Sequence, residues 1–214
     1  MFVQSLVCPM STFLASPRFR NLVFSLLPVF ALGIPAFSQG RGSTAQADLD
    51  QLVQTAENIV RGQVTSATFE PHPQFPNLQT VLVTLSVSKV LKGSVGSTLT
   101  FRQLVWDAHD ASDLARFKGA GEVVFFLNPV SRYGLTSPVG LEQGRFRVIR
   151  DQKGARYVVN GRGNIGLFSQ VSEKAASRGI ALSRPVRQML ADAGGKASLD
   201  SFEATVQALA SVPR

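Results

Sequence analysis

The chain has 214 residues, of which 44% are hydrophobic and 17% are charged, so it can form one ordinary domain with a substantial core. Its 22 Lys and Arg residues outnumber its 14 Asp and Glu residues and give a formal net charge of +8. The single cysteine excludes a disulfide framework and any zinc site built from several cysteines. Two histidines leave little material for a histidine-based metal site.

The first 38 residues have the layout of a secretory signal peptide. Arg18 and Arg20 precede an apolar run that ends in small residues, and the segment contains no acidic residue. We therefore predict cleavage after Ser38, loss of Cys8 with the leader, and a secreted or periplasmic mature chain without a membrane span. A membrane anchor is the alternative, but the run is short for a bilayer span and Pro and Gly residues interrupt it.

The mature chain is predicted to consist of three parts: a small polar linker over residues 39–47, a β-barrel domain over 48–168 and a C-terminal helical extension over 169–214. Asp48 is the predicted N-cap of a short helix that opens the domain. In the extension, Pro185 occupies a first-turn position of one helix. Ser198 and Ser201 are both candidate N-caps of another helix.

Short segments rich in β-branched and aromatic residues follow the first helix, and turn residues separate them. The clearest period-two alternation covers residues 80–88, while residues 122–128 are apolar on both faces, as in a central buried strand. Gly62 indicates a bulge or a close backbone approach. Six or seven such strands predict a mainly β fold, an antiparallel OB-like barrel or sandwich with a short N-terminal helix and one or two C-terminal helices. Barrel and sandwich stay open because alternation is the same in both.

The order of segments 56–64, 83–93, 100–102, 121–127 and 144–148 resembles a domain of exported bacterial proteins of unknown function. More remotely, it is similar to the OB-type barrel of netrin-like and tissue-inhibitor-of-metalloproteinase domains. The resemblance covers about residues 48–168 and implies that fold. The inhibitor family chelates the protease zinc through an N-terminal cysteine, whereas the expected first mature residue is Gln39. A protease-inhibitor-like module is therefore kept only as an alternative function.

The main candidate site is a hairpin crowded with cations, here called the basic hairpin: Arg145, Arg147, Arg150, Lys153 and Arg156. Arg145 and Arg147 alternate with apolar residues, so both guanidinium groups are expected to face solvent on one side. Clustered arginines suit bidentate binding of carboxylate, sulfate or phosphate groups. We therefore predict a non-catalytic module that binds an envelope protein or a polyanion, with no cofactor; nucleic acid does not fit the exported location. The alternative is that these charges protect a strand edge from pairing.

A second candidate is the loop that carries Asp107, His109 and Asp110, followed by Asp113. Carboxylates and an imidazole suit a divalent cation, so a metal-dependent hydrolase is the alternative function. The spacing matches no calcium loop, and a solvated loop explains the same residues. His72, which lies between two prolines, is expected to be exposed.

The glycine pattern at residues 161–166 matches a dinucleotide fingerprint. It lacks the βαβ context and the acidic residue that the fingerprint requires, so a turn is predicted instead.

Overall fold

The computed structural model describes residues 45–105, 117, 121–192 and 195–212. These residues belong to one compact unit, Gly42–Arg214, and both of the hydrophobic clusters described below lie inside it. The predicted signal peptide over residues 1–38 lies outside the described residues. No helix in the described part of the chain is long and apolar enough to cross a bilayer.

The described elements comprise seven strands, four α-helices and one 3-10 helix. The strands are β1 (Asn58–Pro71), β2 (Gln79–Lys92), β3 (Thr98–Leu104), β4 (Glu122–Leu127), β5 (Arg145–Arg150), β6 (Arg156–Asn160) and β7 (Ala197–Ser198). The α-helices are α1 (Leu49–Thr55), α2 (Val171–Ser177), α3 (Arg184–Ala191) and α4 (Leu199–Ala210), and the 3-10 helix is Leu141–Gln143.

The seven strands form one antiparallel sheet in the order β3-β2-β1-β4-β5-β6-β7. The predicted mainly β, antiparallel class is confirmed. The sheet is open and not closed into a barrel, because β3 and β7 lie at opposite ends and do not pair. The segment predicted as a helical extension supplies β7, which pairs with β6, and it contains three α-helices instead of the expected one or two.

Two apolar clusters occupy the two faces of the sheet. On the helix face, defined by Phe126, Phe146 and Phe202, the three rings lie with centroids 4.8–6.1 Å apart. On the opposite face, here called the Phe117 face, Phe125 lies next to Phe117, with ring centroids 6.1 Å apart. Because neighbouring residues of a strand point to opposite faces, β4 contributes to both clusters, as its uniformly apolar sequence predicts.

Local features of the first helix and first strand confirm two of the predictions from sequence. Asp48 caps α1 in a capping box: its carboxylate accepts from the backbone N–H of Gln51 at 2.9 Å, and the Gln51 side chain accepts from the Asp48 N–H at 3.0 Å. Gly62 lies at a register shift between β1 and β2, where a Cβ atom would come within 2.3 Å of the Ser86 carbonyl oxygen. Only glycine fits there without displacing the neighbouring strand.

The C-terminal end of α1 is capped by a lysine from β2. The ammonium group of Lys92 donates to the carbonyl oxygens of Val53 and Ala56, each at 2.6 Å. Burial lowers the pKa of Lys92 below its usual 10.5. The side chain therefore fixes the helix to the sheet through carbonyl groups that the helix itself leaves unpaired.

The end of the predicted linker is held by a buried glutamine. The Gln143 side chain accepts from the backbone N–H of Ala47 at 2.8 Å and donates to the Ala45 carbonyl at 3.0 Å. Gln143 therefore pairs with the approaching chain much as a strand residue does, and residues 45–47 are fixed against the domain.

Candidate functional site

The sheet divides the basic hairpin between its two faces. Arg145 pairs in register with Phe125, which places it on the Phe117 face, and Arg147, two residues along the strand, points the same way. Arg150 pairs with Arg156, and both project from the helix face, where Arg156 reaches Asp200 of α4 at 3.3 Å. The five cations therefore do not form one surface. The prediction that Arg145 and Arg147 share a side is confirmed.

Arg145 is largely enclosed, so the expectation that it faces solvent is wrong. Its side chain is 12% exposed, and its guanidinium group lies 2.7 Å from a carboxylate oxygen of Glu142. The Arg145 Cζ atom also lies 5.0 Å from the centre of the Phe117 ring. An ion pair and a cation–π contact hold this guanidinium in place.

Arg147 differs from its neighbour in exposure and in partners. Its side chain is exposed, and it forms no ion pair or side-chain hydrogen bond within the described part of the chain. It lines a cleft of about 740 Å³ on the Phe117 face, together with Arg145 and Glu142. Because Glu142 is paired with Arg145, Arg147 supplies a positive charge that this pair does not offset.

A turn over residues 160–166 forms another wall of the cleft. Asn160 and Asn164 stabilise it reciprocally: the Asn160 side-chain oxygen accepts from the Asn164 N–H, and the Asn164 side-chain oxygen accepts from the Asn160 N–H, both at 2.9 Å. Asn164 also donates to the Val158 carbonyl at 2.8 Å. The prediction of a turn in place of a dinucleotide loop is confirmed. Sequence reasoning missed this buried pair, although two asparagines four residues apart around glycines are a recognisable turn signal.

The remaining cation of the basic hairpin lies in its turn. Lys153 is exposed, and its backbone N–H donates to the carboxylate of Asp151 at 2.8 Å. The same oxygen accepts from the N–H of Ala155 at 2.9 Å. Asp151 therefore organises the backbone of the turn, while the Lys153 side chain is left at the surface, away from the cleft lining.

The alternative metal site cannot be placed, because Asp107, His109, Asp110 and Asp113 lie outside the described residues. Within the described ranges, no three His, Cys, Asp or Glu side chains are grouped as metal ligands would be.

His72 is buried, contrary to the expectation of an exposed loop residue. It is 2% exposed because its ring fills the turn between β1 and β2. The Nδ1 atom accepts from the N–H groups of Gln74 and Phe75 at 3.1 and 3.2 Å, and Nε2 lies 2.8 Å from the Tyr133 carbonyl oxygen. These partners assign the proton to Nε2. Both ring nitrogens of His72 therefore have hydrogen-bond partners within the protein, so we assign this residue a structural role.

Comparison of the chain with family models, with curated proteins and with solved structures finds no match. The class of the protein is therefore defined by its own geometry: an open antiparallel sheet with the four described α-helices packed on one face and an arginine-lined cleft on the other.

Proposed function

We propose that the protein is a non-catalytic binding module of the bacterial envelope, and that the cleft on the Phe117 face receives an acidic group of its partner. The observation that carries the proposal is the exposed guanidinium of Arg147, which lines the cleft without an ion-pair partner among the described residues. The envelope location rests on the predicted signal peptide.

The chemistry of the cleft suits an oxyanion. Guanidinium groups bind carboxylate, sulfate and phosphate through paired N–H donors, and a neighbouring fixed charge strengthens the local field. Arg145 is fixed by Glu142 and Phe117 and forms part of the cleft wall. Arg147 is available to the ligand. The partner is therefore an acidic envelope protein or an envelope polyanion.

The test is retention of Gly42–Arg214 on an immobilised sulfated dextran during a rising salt gradient. Arg147→Glu is expected to weaken binding at least about tenfold, which corresponds to about 1.4 kcal/mol, because a cation is replaced by an anion in the cleft. Arg150→Glu is the matched control: it makes the same charge change, on an exposed residue of the same strand, but on the helix face.

The two variants separate a site from a general effect of charge. Retention of Arg150→Glu within about twofold of the parent protein, together with loss for Arg147→Glu, supports the cleft. Equal losses in both variants would mean that net charge alone drives retention. Undiminished retention of Arg147→Glu would overturn the proposal.

A further inference from the structure

Exposed apolar side chains are concentrated where the turn between β1 and β2 meets the connection that follows β4. The two segments leave β1 at opposite ends, since Leu127 of β4 pairs with Asn58, and they meet at the contact between His72 and Tyr133. Eight large apolar or aromatic side chains are exposed among the described residues, and five of them lie here, each at least 39% exposed: Phe69, Phe75, Leu78, Val130 and Tyr133. We call this surface the aromatic tip. Patches of this kind mark contact with a partner or a membrane.

The two turns of the aromatic tip are fixed to each other. The imidazole of His72 donates to the Tyr133 carbonyl at 2.8 Å, and the Phe75 ring packs edge-on against the Tyr133 ring with centroids 5.4 Å apart. The exposed rings are therefore presented together by a preformed surface. A preformed surface binds without the cost of ordering a flexible loop.

Most backbone N–H groups of the turn between β1 and β2 are paired within the turn. Its two prolines, Pro73 and Pro76, carry no N–H group. Four other residues of the turn donate their backbone N–H groups to acceptors inside the turn itself: His72, Gln74, Phe75 and Leu78. These N–H groups are already paired, which lowers the cost of moving them from water into a less polar environment.

The charges of the aromatic tip also suit a membrane surface. Arg132 lies over the Tyr133 ring, with its Cζ atom 4.6 Å from the ring centre, and forms no ion pair with any described residue. Glu70, at the base of the tip, is neutralised by Arg102 at 2.5 Å. The unit Gly42–Arg214 contains 19 Lys and Arg residues and 14 Asp and Glu residues, a formal net charge of +5. A free arginine beside exposed aromatic rings is complementary to anionic headgroups above an apolar layer.

From these observations we propose that the aromatic tip inserts shallowly into the surface of a bilayer that contains anionic lipids. Phe75, Leu78 and Tyr133 enter the boundary between headgroups and acyl chains, and Arg132 contacts the headgroup phosphates. This surface is separate from the cleft that contains Arg147, and the two proposals stand independently.

The experiment measures co-sedimentation of Gly42–Arg214 with vesicles of phosphatidylcholine alone and of an equimolar mixture of phosphatidylcholine and phosphatidylglycerol. We expect binding to the mixed vesicles, an approximately tenfold loss in Phe75→Ser, and an approximately fivefold loss in Arg132→Gln. Ile165→Ser is the matched control, because Ile165 is 74% exposed and lies outside the tip. It should bind like the parent protein.

Three outcomes would overturn the proposal. The first is no binding of the parent protein to mixed vesicles, which would mean that the tip does not contact a membrane and would favour a protein partner. The second is equal binding of Phe75→Ser and the parent protein, which would show that the basic surface acts without the tip. The third is the same loss in Ile165→Ser as in Phe75→Ser. Near-identical unfolding transitions of the variants in urea show that each protein was folded when tested.

Discussion

The buried imidazole of His72 links two turns that are distant in sequence. Sequence reasoning placed this ring in solvent, because two flanking prolines and a turn-rich segment are typical of exposed loops. Its burial depends on the Tyr133 carbonyl, which approaches from another part of the chain. No local pattern contains that information, so the error arises from a tertiary contact.

A pair of substitutions tests the structural role of His72. His72→Ala removes an acceptor for two N–H groups and a donor to a carbonyl, so we expect a loss of about 2 kcal/mol in the free energy of unfolding. His72→Asn keeps an acceptor near the position of Nδ1 and should cost less than half as much. Urea denaturation of Gly42–Arg214 measures both. Equal losses in the two variants would contradict the importance of the Nδ1 acceptor.

Other local features of the structure depend only on a short stretch of sequence, unlike the burial of His72. Gly62 and the capping box at Asp48 were predictable because each depends on a short stretch of chain with a fixed geometric requirement. The Asn160–Asn164 turn is equally local, and its signal was present but unread. What sequence alone cannot supply is the set of partners that meet only after the sheet has formed.

The packing of α4 on the sheet depends on a buried carboxylate. Glu203 is 5% exposed in its side chain and lies between two cations of neighbouring strands, 3.0 Å from Arg61 of β1 and 2.6 Å from Lys89 of β2. Arg61 also contacts Glu122 at 3.3 Å, which extends the network to β4. One helix residue therefore joins a helix to three strands, in addition to the apolar contacts around Phe202.

Removal of this carboxylate should destabilise the helix–sheet contact. We expect Glu203→Ala to lower the free energy of unfolding by about 2 kcal/mol, because two cations lose a shared, mostly buried partner while Arg61 keeps Glu122. Asp200→Ala is the control on the same helix: its carboxylate is 87% exposed and should contribute less than about 0.5 kcal/mol. Chemical denaturation distinguishes them. A Glu203→Ala protein as stable as Asp200→Ala would show that apolar packing alone fixes α4.

The strands themselves were the most predictable elements. The alternation predicted at residues 80–88 lies inside β2, and the apolar run at residues 122–128 coincides with β4, because both patterns are local. The division of the basic hairpin between the two faces of the sheet was harder to predict from sequence. Alternation separates Arg147 from Arg150 in principle, but the enclosure of Arg145 depends on Glu142 and on Phe117 from a distant segment. The cleft therefore appears only when these segments are brought together.

The domain carries two surfaces on different strands of its open sheet, which ends in β3 and in the two-residue β7. The hairpin of β1 and β2, 14 residues in each strand, carries the aromatic tip at its turn. The cleft lies instead over β4, β5 and β6. The tip and the cleft share no lining residue among those described, so each can change without the other.

This separation predicts that a substitution in either surface removes one binding activity of Gly42–Arg214 and leaves the other intact. Phe75→Ser should lose vesicle binding and keep its retention on sulfated dextran, whereas Arg147→Glu should lose retention and bind mixed vesicles within about threefold of the parent protein. Surfaces without shared partners contribute additively, so the double variant should show the sum of the two losses in free energy to within about 0.5 kcal/mol. Both assays on the four proteins measure this. Loss of both activities in either single variant would mean that one basic, apolar surface performs both functions, and the two-surface arrangement would then be wrong.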